Sequence, residues 1–154
     1  GDGFFEAVSG WMKRHHDWEI RPEWHVKTPG VCVAIANAIR AVTEPDDAVL
    51  INQPVYYPFS NIILQNGRKR VSSDLVCGED GSYTIDFQDF EQKIVENQVK
   101  LFILCNPHNP VGRVWTREEL RRVGDICKKH GVDEGGAAAH RNHLPGASGA
   151  GVQR

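Results

Sequence analysis

Residues 100–120 read KLFILCNPHNPVGRVWTREEL, and three elements stand side by side in that stretch. Leu101-Phe102-Ile103-Leu104-Cys105 is apolar at every position, the pattern of a strand covered on both faces. Asn106-Pro107 and Asn109-Pro110 follow immediately; proline has no N–H for a ladder, so the strand ends in a stiff loop. Thr116-Arg117-Glu118-Glu119 is a capping box, in which the threonine hydroxyl and the glutamate three residues on satisfy each other's orphan amides. Leu120, Val123, Ile126 and Cys127 give the helix that follows its core face. Lys128, Lys129 and His130 complement its negative end before Gly131 stops it. A covered strand, a rigid loop and an amphipathic helix make one step of an α/β fold with a mainly parallel sheet.

Upstream the same alternation repeats. Ala48-Val49-Leu50-Ile51 is another short apolar run, again suited to an interior parallel strand. It is preceded by Val31–Val42, apolar or small almost throughout, which predicts a helix buried on most sides. Glu44-Pro45-Asp46-Asp47 breaks that helix. Pro58 suits the first turn of the next helix, with Phe59, Ile62 and Ile63 inward and Asn66-Gly67 as its left-handed stop. Residues 68–76 read as a strand opened by Arg68, Lys69 and Arg70, charges that suit a sheet edge. Gly78 to Ser82 is a turn, and Asp86 is an N-cap for a helix carrying Phe87, Phe90 and Ile94 on one face. At the start of the chain, Phe4, Val8, Trp11, Met12 and His15 recur at helical spacing over residues 3–15. The stretch from Trp18 to Trp24 is irregular, and Trp24-His25-Val26 reads as a short strand.

The 154 residues carry a net charge of −2, which gives no electrostatic case for nucleic acid or an anionic membrane. No apolar run is long enough to span a bilayer, and the first residues lack the zones of a signal peptide. Cys32, Cys77, Cys105 and Cys127 contain no C-x-x-C pair and are expected as free thiols, consistent with a cytoplasmic protein. His15-His16 and His140-x-x-His143 offer no third ligand, so no metal site is expected.

After Val132 the pattern changes. Residues 133–154 are dominated by glycine and alanine, with scattered His140, Arg141, His143 and Pro145. The helix ending at Gly131 should feed another apolar strand, and the sequence supplies none. Residues 133–154 are therefore expected as an atypical, poorly ordered tail, the kind of break a change of reading frame produces. Residues 1–132 are expected to form the domain.

In an α/β sheet, ligands gather beyond the carboxyl ends of the strands, where loops diverge. The double Asn-Pro loop places carboxamides at that rim, where locked asparagines can meet a ligand oxygen at low entropic cost. An ordinary rigid turn before a helix is the competing explanation. The amides that open at Gly30, Val31 and Cys32 begin an apolar helix, and a helix start is an anion site through its unpaired amides and dipole. Gly30 alone is equally a turn glycine, and Tyr56 alone is equally a core aromatic.

CNPHNPVGRVWTREEL, residues 105–120, resembles the Asn-Pro-(His)-Asn-Pro-x-Gly signature of fold-type-I pyridoxal-phosphate enzymes, the class I/II aminotransferase superfamily. Within it the string is similar to the MalY/PatB-like cystathionine β-lyase (C–S lyase) branch. The Trp18-to-Trp24 segment, TPGV at 28–31, PVYYPF at 54–59 and YTIDFQDFEQKI at 83–94 occur in the same family order, so the resemblance covers residues 1 to about 132. It implies part of a three-layer αβα large domain in a cytoplasmic, homodimeric enzyme acting on amino acids with pyridoxal 5′-phosphate. It further implies that Asn109 meets the phenolic oxygen of the coenzyme ring and Tyr56 stacks on the ring face. The same resemblance implies that the backbone amides of Gly30, Val31 and Cys32 meet the phosphate. The Asn109-Pro110 bond is expected to be cis, which aims the asparagine inward.

The resemblance also implies what is absent. The family's Asp-Glu-x-His segment ends an apolar strand, whereas Asp133-Glu134 has none before it, so Asp133 is not expected to serve the ring nitrogen. The lysine that carries the coenzyme lies further on in a Ser-x-Lys-like context. Lys13, Lys27, Lys69, Lys93, Lys100, Lys128 and Lys129 fall where the family uses lysine structurally. No catalytic residue is therefore expected here, and the chain reads as an inactive fragment of an aminotransferase or C–S lyase. Its rival is a non-catalytic truncated module that binds a partner or a phosphate ligand. A third possibility is a chain that dimerises through the apolar helix at 31–42.

Overall fold

The computed structural model describes residues 2–137, in two compact units that meet in sequence at Thr28 and Pro29. The first carries helix α1, Asp2–His16. Lys13 near its end pairs with Asp17 at 2.8 Å and Glu19 at 3.0 Å. Pro22–Trp24 is a single 3-10 turn and His25 beyond it is extended. The strand expected at Trp24-His25-Val26 does not form. Pro22 supplies the fixed φ of a helical first position, and the Trp24 amide turns back to the Arg21 carbonyl at 3.0 Å.

The second unit is the α/β body. Its elements are α2 (Val31–Val42), β1 (Ala48–Ile51), α3 (Pro58–Gln65), β2 (Lys69–Ser72) and β3 (Val76–Cys77), then β4 (Tyr83–Thr84), α4 (Phe87–Asn97), β5 (Leu101–Cys105), α5 (Arg117–His130) and β6 (Asp133–Ala137). Among the described residues one sheet runs in the order β2-β1-β5-β6, parallel throughout, with β3 and β4 forming a separate antiparallel hairpin. Residues 68–76 thus give two strands rather than one. The chain leaves the ladder after Ser72, where the Ser73 and Leu75 amides bond to the Ile51 and Gln53 carbonyls.

The strands alternate their side chains between two cores, as a period of two requires. Ala48, Leu50 and Phe102 face α4 and α5, packing with Phe90, Ile94, Val123, Ile126 and Cys127. Val49, Ile51, Leu101, Ile103 and Cys105 face α2 and α3, packing with Ile35, Ile39, Phe59, Ile62 and Ile63. The result is the expected three-layer αβα arrangement. Phe90 and Phe102, both essentially fully buried, meet edge to face at 5.0 Å and pin α4 to the sheet.

Local signals set the helix ends. The Asp86 carboxylate accepts from the Gln88 and Asp89 amides at 2.9 and 3.1 Å. Both halves of the Thr116–Glu119 capping box are present, and Gly131 takes the left-handed conformation at φ 66°. None of the four cysteines forms a disulfide. No described helix is long and apolar enough to cross a membrane.

Two further expectations are overturned. Helix α2 is not buried on most sides: Ile35 and Ile39 are, while Val31, Val33 and Val42 stand 38%, 41% and 43% exposed. Its inner stripe meets the sheet, and the opposite one is exposed. Secondly, a strand does arrive after Gly131. Asp133–Ala137 pairs with β5 from Leu101↔Asp133 to Cys105↔Ala137. A parallel ladder needs only backbone groups, and the stop of α5 delivers the chain beside the free edge of β5; the Asp133 amide bonds to the Lys100 carbonyl at 2.9 Å. The rest of the expected tail, residues 138–154, lies outside the described residues.

Candidate coenzyme site

The order β2-β1-β5-β6 contains a reversal. From β1 the chain crosses through α3 on one face to reach β2, whereas from β5 it crosses through α5 on the other face to reach β6. The loops leaving β1 and β5 therefore diverge from adjacent strand ends, and a crevice opens between them. Such a reversal is where parallel sheets take ligands.

Each sequence-predicted residue falls at that edge. The segment after β1 carries Tyr56, half-buried, packed against the α2/α3 core and edge to face with Phe59 at 5.9 Å. The loop after β5 carries Asn109, whose side chain is exposed at the rim. Helix α2 enters β1 by a short turn after Thr43 and packs along the sheet through Ile39 and Ile35, so it runs antiparallel to β1. Its twelve residues span about 18 Å, which brings its N-terminus to the carboxyl edge of the strands. Cys32, in the first turn, packs against the same cluster as Tyr56.

At that N-terminus the cap residue is Gly30, which offers no side chain to the first-turn amides. The first helical bond runs from the Ala34 amide to the Gly30 carbonyl at 3.1 Å, so the helix provides no acceptor for the amides of Val31 and Cys32. A Cβ built at Gly30 meets nothing within 4 Å. Open space beside the cap residue at a helix's positive end suits an anion.

The loop after β5 is braced throughout. Its Asn106-Pro107 and Asn109-Pro110 bonds are both cis, as is Gln53-Pro54 in the facing loop. The His108 amide bonds to the Arg113 carbonyl at 2.7 Å and the Gly112 amide to the His108 carbonyl at 2.8 Å. Trp115 is 3% exposed; its indole N–H donates to the Cys105 carbonyl at 3.1 Å and its amide to the Asn106 carboxamide at 3.2 Å. Arg113 donates to the Tyr83 carbonyl of the β3–β4 hairpin and, at 2.5 Å, to Glu119 of α5. Burial pushes the Cys105 thiol above its usual range, partly offset by the Asn109 amide that donates to it.

His108 is the residue that sequence reasoning missed. It is 2% exposed, rests edge-on against Trp115 at 5.4 Å, and its Nε2 lies 2.9 Å from the Pro54 carbonyl oxygen in the loop after β1. Burial pushes its imidazole below the ordinary histidine range, against the opposing pull of the Pro54, Asn52 and Cys105 carbonyls. One histidine between two prolines carries no periodicity, so the only sequence signal was its place inside the Asn-Pro repeat.

Comparison with known proteins bears on the family and the fold. The profile of the family "Aminotransferase class I and II" matches residues 2–132. The chain is similar to cystathionine beta-lyase PatB of Bacillus subtilis, 47% identical over 82% of this chain and 33% of that protein. It is similar to protein MalY of Escherichia coli, 32% identical over 85% and 33%. Among solved structures it resembles cystalysin from Treponema denticola, which contains pyridoxal 5′-phosphate, with a TM-score of 0.83 and 40% identity over 88% of this chain and 34% of that one. The PLP-bound C-S lyase from Staphylococcus hominis gives 0.83 and 34% over the same shares. The chain spans about a third of the length of these relatives. With the three-layer body, the reversed strand order and the matched profile in agreement, the chain belongs to the class I and II aminotransferase family.

Proposed function

We propose that this chain is the coenzyme-cradling part of a pyridoxal-phosphate-dependent enzyme that acts on amino acids, on the C–S lyase side of the family. The observation that carries the reading is the crevice between β1 and β5, where the α2 N-terminus, Tyr56 and Asn109 come to one edge of the sheet. These residues fit the group. The amides of Gly30, Val31 and Cys32 take the phosphate, the Tyr56 ring lies against the pyridine face, and the Asn109 carboxamide donates to the phenolic oxygen. When bound, the coenzyme supplies an electron sink for a substrate amino acid. The chain's part is to fix the ring plane and to hold the phenolic oxygen and phosphate by directed donors.

The groups that act on the substrate belong to other parts of the complete protein. Lys69 and Lys100 sit at the amino ends of β2 and β5, and Lys128 and Lys129 lie in the last turn of α5, which feeds that same edge. Asp133 is the first residue of β6, opposite Leu101. A five-residue strand separates it from the carboxyl edge by about 13 Å, too far to serve the ring nitrogen. The complete protein is a homodimer in this reading, supported by the uncovered apolar stripe of α2.

Pyridoxine 5′-phosphate tests the proposal, since it keeps the ring, the phenolic oxygen and the phosphate but has no aldehyde for lysines to capture. Calorimetric titration should give saturable binding, weakened about tenfold by Asn109→Ala, the worth of one good hydrogen bond. Absence of binding by the wild-type chain would refute the reading. Borohydride reduction with pyridoxal 5′-phosphate should label lysines without a single preferred one; one stoichiometric adduct plus turnover would refute the claim that the catalytic groups lie elsewhere.

A further inference from the structure

We propose that His108 is a positioning residue that locks the two loops of the cradle together, setting the ring contacts while leaving the phosphate contacts alone. This rests on the reading above. The Pro54 carbonyl can only accept, so the 2.9 Å contact puts the hydrogen on Nε2 of the imidazole. That bond joins residues 54 positions apart in sequence. Pro54 lies two residues before Tyr56, and His108 directly precedes Asn109. The imidazole therefore ties the loop after β5 to the loop after β1 through this bond, while its Nδ1, also buried, has no hydrogen-bond partner among the described residues.

The rest of its surroundings hold the ring still. Trp115 supports it edge to face, and Trp115 is itself tied to the Cys105 carbonyl. Backbone bonds to Arg113 and from Gly112 close the loop around His108. Movement of the imidazole therefore carries Asn109 with it, and loss of the Nε2 bond releases the Tyr56 segment from the Asn109 loop. The α2 amides belong to neither loop. His108 thus governs the spacing between ring face and phenolic oxygen and is silent at the phosphate.

The prediction is tested by titrating the chain with pyridoxine 5′-phosphate and, separately, with inorganic phosphate. His108→Leu should weaken the first about tenfold and leave the second within about twofold, the cost of one positioned hydrogen bond at the ring alone. His108→Gln, which keeps an N–H donor, should recover most of the loss. Equal weakening of both ligands, unchanged affinity for the ring-bearing ligand, or no recovery with glutamine each overturns the positioning role. Failure of Asn109→Ala to weaken binding points instead to an error in the coenzyme reading. Amide exchange without ligand gives an independent arm. His108→Leu should speed exchange at Phe59, whose amide bonds to the Tyr56 carbonyl, and at Gly112, while α4 amides keep their rates. Unchanged exchange at both loops overturns the lock even in a chain that binds nothing.

Discussion

Acidification should weaken this fold through His108, and the amount follows from its burial. The imidazole is 2% exposed and its pKa is held below the ordinary 6.5, chiefly by desolvation. In the unfolded chain the ring titrates near 6.5, so below that pH the unfolded state binds a proton that the native state resists. More protons on the unfolded side means stability rises with pH, and falls as pH drops from about 6.5 towards the depressed native value. If the native ring takes up no proton, moving from pH 7.5 to 5.5 costs about 1.4 kcal/mol at this site. At an ordinary urea dependence that displaces the unfolding midpoint by about 0.5–1.4 M. The assay is urea unfolding of the wild type and His108→Gln at both pH values. Other titrating groups are common to both proteins and cancel in the difference. Wild type should lose more than the variant between the two conditions, by no more than about 1.4 kcal/mol. Parallel losses would show that the ring is protonated in the native state without penalty, and the claim of a desolvated imidazole would fail.

Three further outcomes follow from packing. Phe90→Ala removes a fully buried ring and its edge-to-face contact with Phe102, so urea unfolding should show about 3–5 kcal/mol of destabilisation; less than 1 kcal/mol would mean α4 is not pinned there. Thr116→Ala breaks a capping box whose two halves are both present and should cost about 1 kcal/mol by the same assay, with Glu119→Ala adding to the loss because Glu119 also accepts from Arg113. Val33 is 41% exposed on α2; if this stripe joins two copies, sedimentation should show a concentration-dependent dimer that Val33→Asp shifts to monomer, and a wild-type chain monomeric at all concentrations would refute that role.

The elements most legible from sequence were those whose local chemistry and tertiary fate agree. Residues 100–131 are an example, where strand, loop, capping box and glycine stop each had a direct chemical cause. The ends of α2 and α3 and the start of α4 were readable for the same reason. What could not be read depended on partners distant in the chain. Helix α2 is apolar around most of its circumference, but which stripe meets the sheet depends on β1 and β5, and the exposure of Val31, Val33 and Val42 on elements around it. The 3-10 turn at Pro22 and the break after Ser72 are decided by single backbone bonds that leave no periodic trace. For β6 the composition pointed the wrong way: Asp-Glu-Gly-Gly-Ala argues against a strand, yet pairing with β5 requires no particular side chain.

The site was legible by a different route from the fold. Tyr56, Asn109 and Gly30 lie up to 79 positions apart, and no window of sequence contains more than one of them. Their common edge follows from the reversal of strand order at β1 and β5, because two parallel neighbours whose chains leave towards opposite faces must part their loops at the carboxyl end. A helix entering β1 by a short turn must bring its own N-terminus back to that same end. Topology alone thus brings the segments that carry Tyr56, Asn109 and the start of α2 to one edge of the sheet. What it leaves free is the spacing of the two loops, and a buried imidazole bonded across them is the one described side chain placed to set it.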